Sequence, residues 1–389
     1  MYLIAPLISS FYDNPELIPI LRILTLKIFP GTINSIQIAI VARNMLFKKM
    51  FKSSFAATII SGVLGIISAY LGLGVWALVI QQLSMQISIS LIMWFTVKWR
   101  PIAFFSIRKV KDLFSFGWKM LGSSLISILY DDLRTLIIGR IYTPATLGYY
   151  NRGQQIPRTI VNGINNSIQS VMLPTLSAYQ DNKKRLKSMM RRSIKISSYF
   201  IFPMMIGLAM VAESLVVILL TEDWLPSVVF FRVFAFYYSL IHIHMINLQA
   251  ISALGRSDLR LKLEILKKVI GIIILLLSIK YGVIAIAIGQ LIYGIISSVI
   301  NALPNKYLLD YGFLEQISDL LPSVINSSIM GGFIYFVSFL DIPIVALLFW
   351  QIVLGGLIYL LLSIITKDES YIYIISTLKE IIKSRKKLS

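Results

Sequence analysis

Val283–Ala302, which reads VIAIAIGQLIYGIISSVINA, holds twenty residues without one charge. As a helix rising 1.5 Å per residue it extends about 30 Å, the thickness of a bilayer's hydrocarbon core. It reads as a membrane-spanning helix. Working outward in both directions, further apolar stretches separated by charged or turn-forming clusters fall at 18–42, 54–72, 76–97, 115–138, 148–175, 194–220, 228–252, 264–281, 319–339 and 343–366. The 389 residues are 57% hydrophobic and 14% charged, contain no cysteine and have a mean hydropathy of +0.79. Soluble domains carry about 25% charged residues, so this chain has too little polar material to cover a water-facing surface. Disorder, a soluble enzyme and a secreted disulfide scaffold are excluded. Eleven spans use about 240 residues, which leaves short connections and no room for a soluble catalytic domain.

The net charge of +19 in a soluble protein would point to nucleic acid. In a membrane chain its distribution matters more. Alternate connections hold the cations: Arg43, Lys48, Lys49 and Lys52; Lys98, Arg100, Arg108, Lys109 and Lys111; the run from Lys183 to Lys195; Arg256, Arg260, Lys262, Lys267 and Lys268; Lys306; and the tail from Lys367 to Lys387. The intervening connections carry Arg140 and Lys280 with acidic Asp13, Glu16, Glu222, Asp223 and Asp341. By the positive-inside rule the basic connections and the C-terminus face the cytoplasm. The clusters read as topology determinants resting on anionic lipid, and none is assigned as a specific anion site.

The segment from Gly74 to Gln82 lies over that from Gly282 to Gln290, with matches at Gly, Val, Ala, Ile and Gln and an offset of 208 residues. Each copy follows a tyrosine, Tyr70 or Tyr281, and begins a span of the same polarity. Internal repeats of this kind build many transporters. If the second unit begins near Phe114, the offset places the start of the first unit about 95 residues before Met1. The apolar Met1–Tyr12 segment then reads as half of a span whose beginning is absent. The expected organisation is an incomplete N-terminal lobe at 1–112, a six-helix lobe at 113–302, and two extra spans with a basic tail at 303–389.

Ionisable residues at membrane depth are functional candidates, because burying them in hydrocarbon is costly. The span at 115–138 carries Asp131, Asp132 and Arg134 in one half, and Asp131 and Arg134 share a helix face. The next carries Arg152, Arg158, Asn162, Asn165, Asn166 and Gln169, too polar a set to face lipid, so it must line water or protein. With Arg22 and Lys27 these cations would form a positive cavity between lobes, suited to phosphate or pyrophosphate. The competing reading pairs Arg152 and Arg158 with Asp131 or Asp132 to fix helix packing, and lets Arg22 snorkel to the interface. Glu213, His242 and His244 are candidates for proton coupling; interhelical hydrogen bonding and a buried neutral imidazole are the plainer alternatives. The two histidines point to different helix faces, so no metal pair is expected. Trp76, Trp99, Trp224 and Tyr142 read as interfacial belts rather than sugar platforms. No phosphate-binding loop, nucleotide fingerprint or serine elbow occurs, and no cofactor is expected.

Asn14-Pro15-Glu16-Leu17, Ala42-Arg43-Asn44-Met45-Leu46-Phe47-Lys48, Gly72-Leu73-Gly74-Val75-Trp76-Ala77-Leu78, Trp99-Arg100-Pro101, Phe116-Gly117, Leu147-Gly148-Tyr149-Tyr150 and Trp224 form an ordered set. As a set they resemble the Wzx-type oligosaccharide flippases, the polysaccharide-transporter branch of the multidrug/oligosaccharidyl-lipid/polysaccharide exporter superfamily. The likeness runs from residue 1 to about 300 and is clearest up to about 225. It implies an all-α, two-lobe transporter bundle of the flippase and multidrug-exporter type, here with about eleven complete spans and a partial first one. It also implies a multi-pass protein of the bacterial inner membrane that moves an undecaprenyl-pyrophosphate-linked oligosaccharide between leaflets for capsule, exopolysaccharide or O-antigen synthesis. The substrate-binding residues expected on physical grounds are Arg134, Arg152, Arg158, Asn162, Asn165 and Asn166. Asp131, Asp132 and Glu213 are the candidates for coupling to a proton or sodium ion. The expected partners are the lipid-linked oligosaccharide and membrane lipids, without nucleic acid, and no enzymatic activity is expected. The rival readings are a cation-coupled multidrug antiporter, whose organic-cation substrates an arginine-rich cavity would repel, a membrane-bound polymerase or glycosyltransferase, and an inactive truncated fragment.

Overall fold

Gly74 and Gly282, the first residues of the two repeat copies, both adopt positive φ, at 51° and 94°, and each sits at the start of a long helix. Positive φ is accessible to glycine without a Cβ penalty, so the same residue turns the chain at the same point of two helical hairpins. The computed structural model describes residues 2–43, 47–97, 99–100, 106–177, 179 and 182–388. Of the motif residues quoted above, 44–46 and Pro101 lie outside them, as does Lys98.

Contacts divide the chain into two units, residues 1–126 and 127–389. The first holds α1 (Ala5–Tyr12), α2 (Leu17–Leu24), α3 (Ile28–Arg43), α4 (Phe47–Tyr70) and α5 (Val75–Thr96). A single 3₁₀ turn at Thr25–Lys27 joins α2 to α3, so the two run on as one span. α4 and α5 form a tight antiparallel hairpin, and α3 packs along α5. The α4–α5 hairpin is short because Gly72 and Gly74 both accept left-handed backbone.

α6 (Ile107–Ile141) leads into the second unit, which continues with α7 (Pro144–Ser177), α8 (Lys183–Met210), α9 (Ala212–Leu220), α10 (Ser227–Ser239), α11 (Ile241–Ala253), α12 (Ser257–Ser278), α13 (Val283–Leu309), α14 (Phe313–Val337), α15 (Ile344–Ile365) and α16 (Glu369–Leu388). α7 packs against α10 and α11, α8 along α14 and α10, α12 against α13, and α14 against α15. Ile138, Tyr150, Ile201, Phe230, Phe234 and Ile286 form one core among α6, α7, α8, α10 and α13. The outer faces are apolar as well: on α15, Val345, Phe349, Ile352, Leu361 and Ile365 are all more than half exposed. Hydrocarbon outside and a packed core inside place apolar residues on both faces, as a polytopic membrane protein requires.

Eight helical stretches among the described residues are long and apolar enough to cross a membrane: Leu17–Val41, Lys48–Tyr70, Val75–Thr96, Lys183–Met210, Ser227–Ala253, Val283–Leu309, Phe313–Val337 and Ile344–Ile365. The other three expected spans fall on α6, α7 and α12, continuous helices of 35, 34 and 22 residues that carry more polar and charged positions. The span expected at 194–220 begins earlier, at Lys183, where the side chain of Asn182 accepts the Arg185 N–H at 3.0 Å and caps α8. The helix breaks at Val211, which closes α8 through its N–H to Gly207 O and opens α9 by accepting the Leu215 N–H. The span expected at 228–252 tightens at Leu240, where i→i+3 bonds replace i→i+4 ones. The C-terminal tail is helical: Asp368 Oδ1 accepts the Ser370 N–H at 2.8 Å and starts α16.

Candidate functional site

Six helices of the second unit turn polar residues toward one cavity of about 470 Å³. α7 contributes Asn151, Gln154, Arg158 and Asn162, spaced three and four apart and therefore on one face. α6 adds Tyr130, Asp132 and Arg134, α12 adds Glu264 and Lys267, and α13 adds Gln290 and Tyr293. α10 and α11 complete it with Tyr237, Tyr238 and His244. These i, i+3 and i, i+4 spacings give one face of α6, α7 and α12 to the cavity.

Arg134 is 6% exposed and lies over the Tyr293 ring, 5.7 Å from its centroid. This cation–π contact holds its guanidinium at the cavity wall. Lys267 is 4% exposed, and its Nζ donates to Glu264 Oε1 at 2.8 Å, one turn away on the same helix. Tyr150 Oη donates to Gln290 Oε1 at 3.0 Å, and Gln154 Nε2 donates to Tyr238 Oη at 3.0 Å. These bonds fix the aromatic walls. His244 Nε2 is buried with no hydrogen-bond partner among the described residues. Tyr130 closes on α12 because residue 271 is glycine; a Cβ there would collide with its hydroxyl.

Arg134, Arg158, Asn162 and Asp132 of the sequence candidates thus meet in one cavity. Arg152 does not line it: its Nη1 donates to Gln155 Oε1 at 2.8 Å and its guanidinium lies 5.6 Å from the Trp224 ring centroid. Asn165 is buried and is not part of the lining. The side chains of Asp131 and Asn166 lie outside the described residues. Glu213 sits in a separate recess with Glu222 and Gln351, where Arg232 Nη2 approaches it at 3.6 Å. Among the described residues, no ion pair joins Arg152 or Arg158 to Asp132. His242 is fully buried on the other face of α11, 2.8 Å from Ser198 Oγ through Nε2, so the two histidines do point apart. Trp224 packs edge-on to Tyr149 at 5.8 Å.

Lys267 and Glu264 were not among the site residues expected from sequence. Lys267 stood among the basic connection residues, but α12 starts at Ser257 and carries it about 15 Å along the helix. Glu264, the one acid between Arg260 and Lys268, was the available signal: one helical turn from Lys267, it marks a paired group rather than a free topology charge.

The first unit has its own polar recess of about 870 Å³, lined by Lys27, Ser35, Thr58, Ser61, Gln82 and Gln86 among others. Lys27 Nζ donates to Gln82 Oε1 at 3.2 Å. Gln82 and Gln290 are the repeat-equivalent residues, and each presents its amide oxygen to a donor at the wall of a cavity.

Long apolar helices around a polar, cation-lined cavity define a multi-pass membrane transporter of the helical-bundle class. The chain belongs to the polysaccharide biosynthesis protein family, whose model matches residues 1–229. It is 27% identical over 336 residues to the teichuronic acid biosynthesis protein TuaB of Bacillus subtilis, covering 84% of this chain and 67% of TuaB. It is 25% identical over 228 residues to the succinoglycan biosynthesis transport protein ExoT of Rhizobium meliloti, covering 58% of this chain and 45% of ExoT. In fold it is similar to the lipid II flippase MurJ in an inward closed conformation, with a TM-score of 0.75 at 18% identity over 94% of this chain and 79% of that one. The family expected from the ordered motifs is the one found.

Proposed function

We propose that the chain acts in moving an undecaprenyl-pyrophosphate-linked oligosaccharide across the bacterial inner membrane. The observation that carries this reading is the cavity in which Arg134, Arg158 and Lys267 converge inside an apolar bundle. Pyrophosphate is a compact polyanion, and planar guanidinium groups bind its oxygens with more than one hydrogen bond each. Asn162, Gln154 and the five tyrosines of the cavity offer hydrogen bonds and apolar faces to a glycan. Arg152 lies apart from this group and has no part in holding the phosphate. The basic connections and the C-terminus face the cytoplasm, with lobes at 1–112 and 113–302 and an appended segment at 303–389. Ion coupling is assigned to Asp132, which lines the cavity, rather than to Glu213, which Arg232 engages.

A multidrug antiporter fits less well. The cavity holds three cations against two carboxylates, Asp132 and Glu264, so an organic cation meets repulsion there. The test is glycan export in a strain lacking its own flippase and carrying the full-length gene. Export should return with the wild type and fall when Arg134 or Arg158 is changed to alanine. Full export by both variants would overturn the cationic-cavity reading, and drug efflux without glycan export would favour the antiporter.

A further inference from the structure

A further pocket, of about 300 Å³, opens where the basic start of α8 meets the start of α16. Ser188, Arg191, Arg192, Lys195, Ile196, Glu369, Ser370 and Tyr373 line it. Two of its three cations are already matched: Arg191 binds Asp319 through two hydrogen bonds of 2.7 Å, and Lys195 lies 3.1 Å from Asp319 and 2.6 Å from Glu369. Arg192 is different. Its guanidinium rests 4.5 Å from the centroid of the Tyr373 ring, and among the described residues no carboxylate pairs with it. The pocket therefore keeps one uncompensated positive charge, held in place by an aromatic face and flanked by the Ser188 and Ser370 side chains.

What lies beside it decides the class of ligand. On α8, Ile196, Phe200 and Met204 follow Arg192 at four-residue intervals and form an inclined ridge that winds about 120° around the helix by Met204. Phe200 and Met204 are exposed, as is Ile372 on α16. The ridge runs about 18 Å from Arg192 toward the middle of the bundle, the reach of an acyl chain through one leaflet. A cation at the end of an apolar track fits an amphiphile with an anionic head.

We propose that this pocket binds the phosphate headgroup of an anionic phospholipid from the leaflet next to the basic connections, with an acyl chain along Ile196, Phe200 and Met204. A headgroup phosphate with net negative charge is the chemistry recognised, and the track commits the site to a lipid rather than a free anion. The proposal does not depend on the transported substrate.

The test uses the full chain in neutral detergent, titrated separately with dioleoylphosphatidylglycerol, dioleoylphosphatidylcholine and inorganic phosphate, with unfolding temperature and native mass spectrometry as readouts. Phosphatidylglycerol should raise the unfolding temperature and remain bound, while phosphatidylcholine and phosphate should not. Arg192→Gln should weaken phosphatidylglycerol binding about tenfold, the loss of one charge-assisted hydrogen bond. Phe200→Ser should also weaken it, and Lys280→Gln, an exposed cation outside the pocket, should not. Arg192 is exposed and pairs with no acid among the described residues, so its substitution should leave the fold intact. Equal stabilisation by phosphatidylcholine, or wild-type binding by Arg192→Gln, would overturn the site. An equal effect of inorganic phosphate would overturn the lipid assignment.

Discussion

Arg191 on α8 grips Asp319 on α14 through two hydrogen bonds of 2.7 Å, and Tyr311 Oη donates to the same carboxylate at 2.8 Å. Asp319 is almost fully buried, and Lys195 completes its shell at 3.1 Å. One carboxylate thereby ties α14 to α8. Asp319→Ala strands the buried Tyr311 hydroxyl and unpairs the half-exposed Arg191, while Lys195 keeps Glu369, and should destabilise the protein by about 1–3 kcal/mol. Thermal unfolding in detergent checks this. The Arg191→Met, Asp319→Leu double variant should recover part of the loss, because no charge of that pair is left unmatched.

Gly153 sets the distance between α7 and α10. A Cβ there would stand 2.6 Å from Phe230 Cβ and 2.7 Å from the Phe231 backbone nitrogen, and backbone cannot move aside cheaply. Gly153→Ala should cost about 1–3 kcal/mol by overpacking. Gly356→Ala, which meets nothing within 4 Å, should leave the unfolding temperature at or above the wild-type value.

Tyr150 and Gln290 are both buried and satisfy one another. Gln290→Leu removes the acceptor and strands the phenol, at a cost of about 1–3 kcal/mol. Adding Tyr150→Phe should restore part of this, so a double-variant cycle by thermal unfolding should show coupling. Additive losses would mean that the hydrogen bond contributes nothing.

Export should separate the two arginines of α7. Arg158 lines the cavity, whereas Arg152 is occupied with Gln155 and Trp224. Arg158→Ala should reduce glycan export far more than Arg152→Ala, measured at equal membrane abundance. The reverse order would move the phosphate site out of the cavity.

Lys267→Gln should lower export while Lys280→Gln leaves it unchanged, since the first lines the cavity and the second is exposed outside it. Equal export by both variants would remove Lys267 from the proposed phosphate site.

The class of the protein was legible in the sequence because a span announces itself locally. Twenty uncharged residues such as Val283–Ala302 satisfy their own backbone as a helix wherever they lie in the membrane. The ordered motifs carried the family, and the glycine that begins each repeat copy carried the hairpin turn. Helical spacing on α7 also brought Arg158 and Asn162 to one face without any knowledge of neighbours. What a single helix cannot encode is which of its polar residues another helix meets. Arg152 and Arg158 are equally charged on the same helix, yet Trp224 and Gln155 take one and the cavity takes the other. Lys267 looked like a topology charge until the start of α12 at Ser257 and its packing on α13 carried it inward. For Glu213 the sequence left proton coupling and an interhelical bond both open, and only the fold shows Arg232 of α10, nineteen residues away, approaching it. Local hydropathy determined that the chain crosses a membrane and where; the pairing of charges between helices, which depends on distances across the bundle, was decided by the tertiary structure alone.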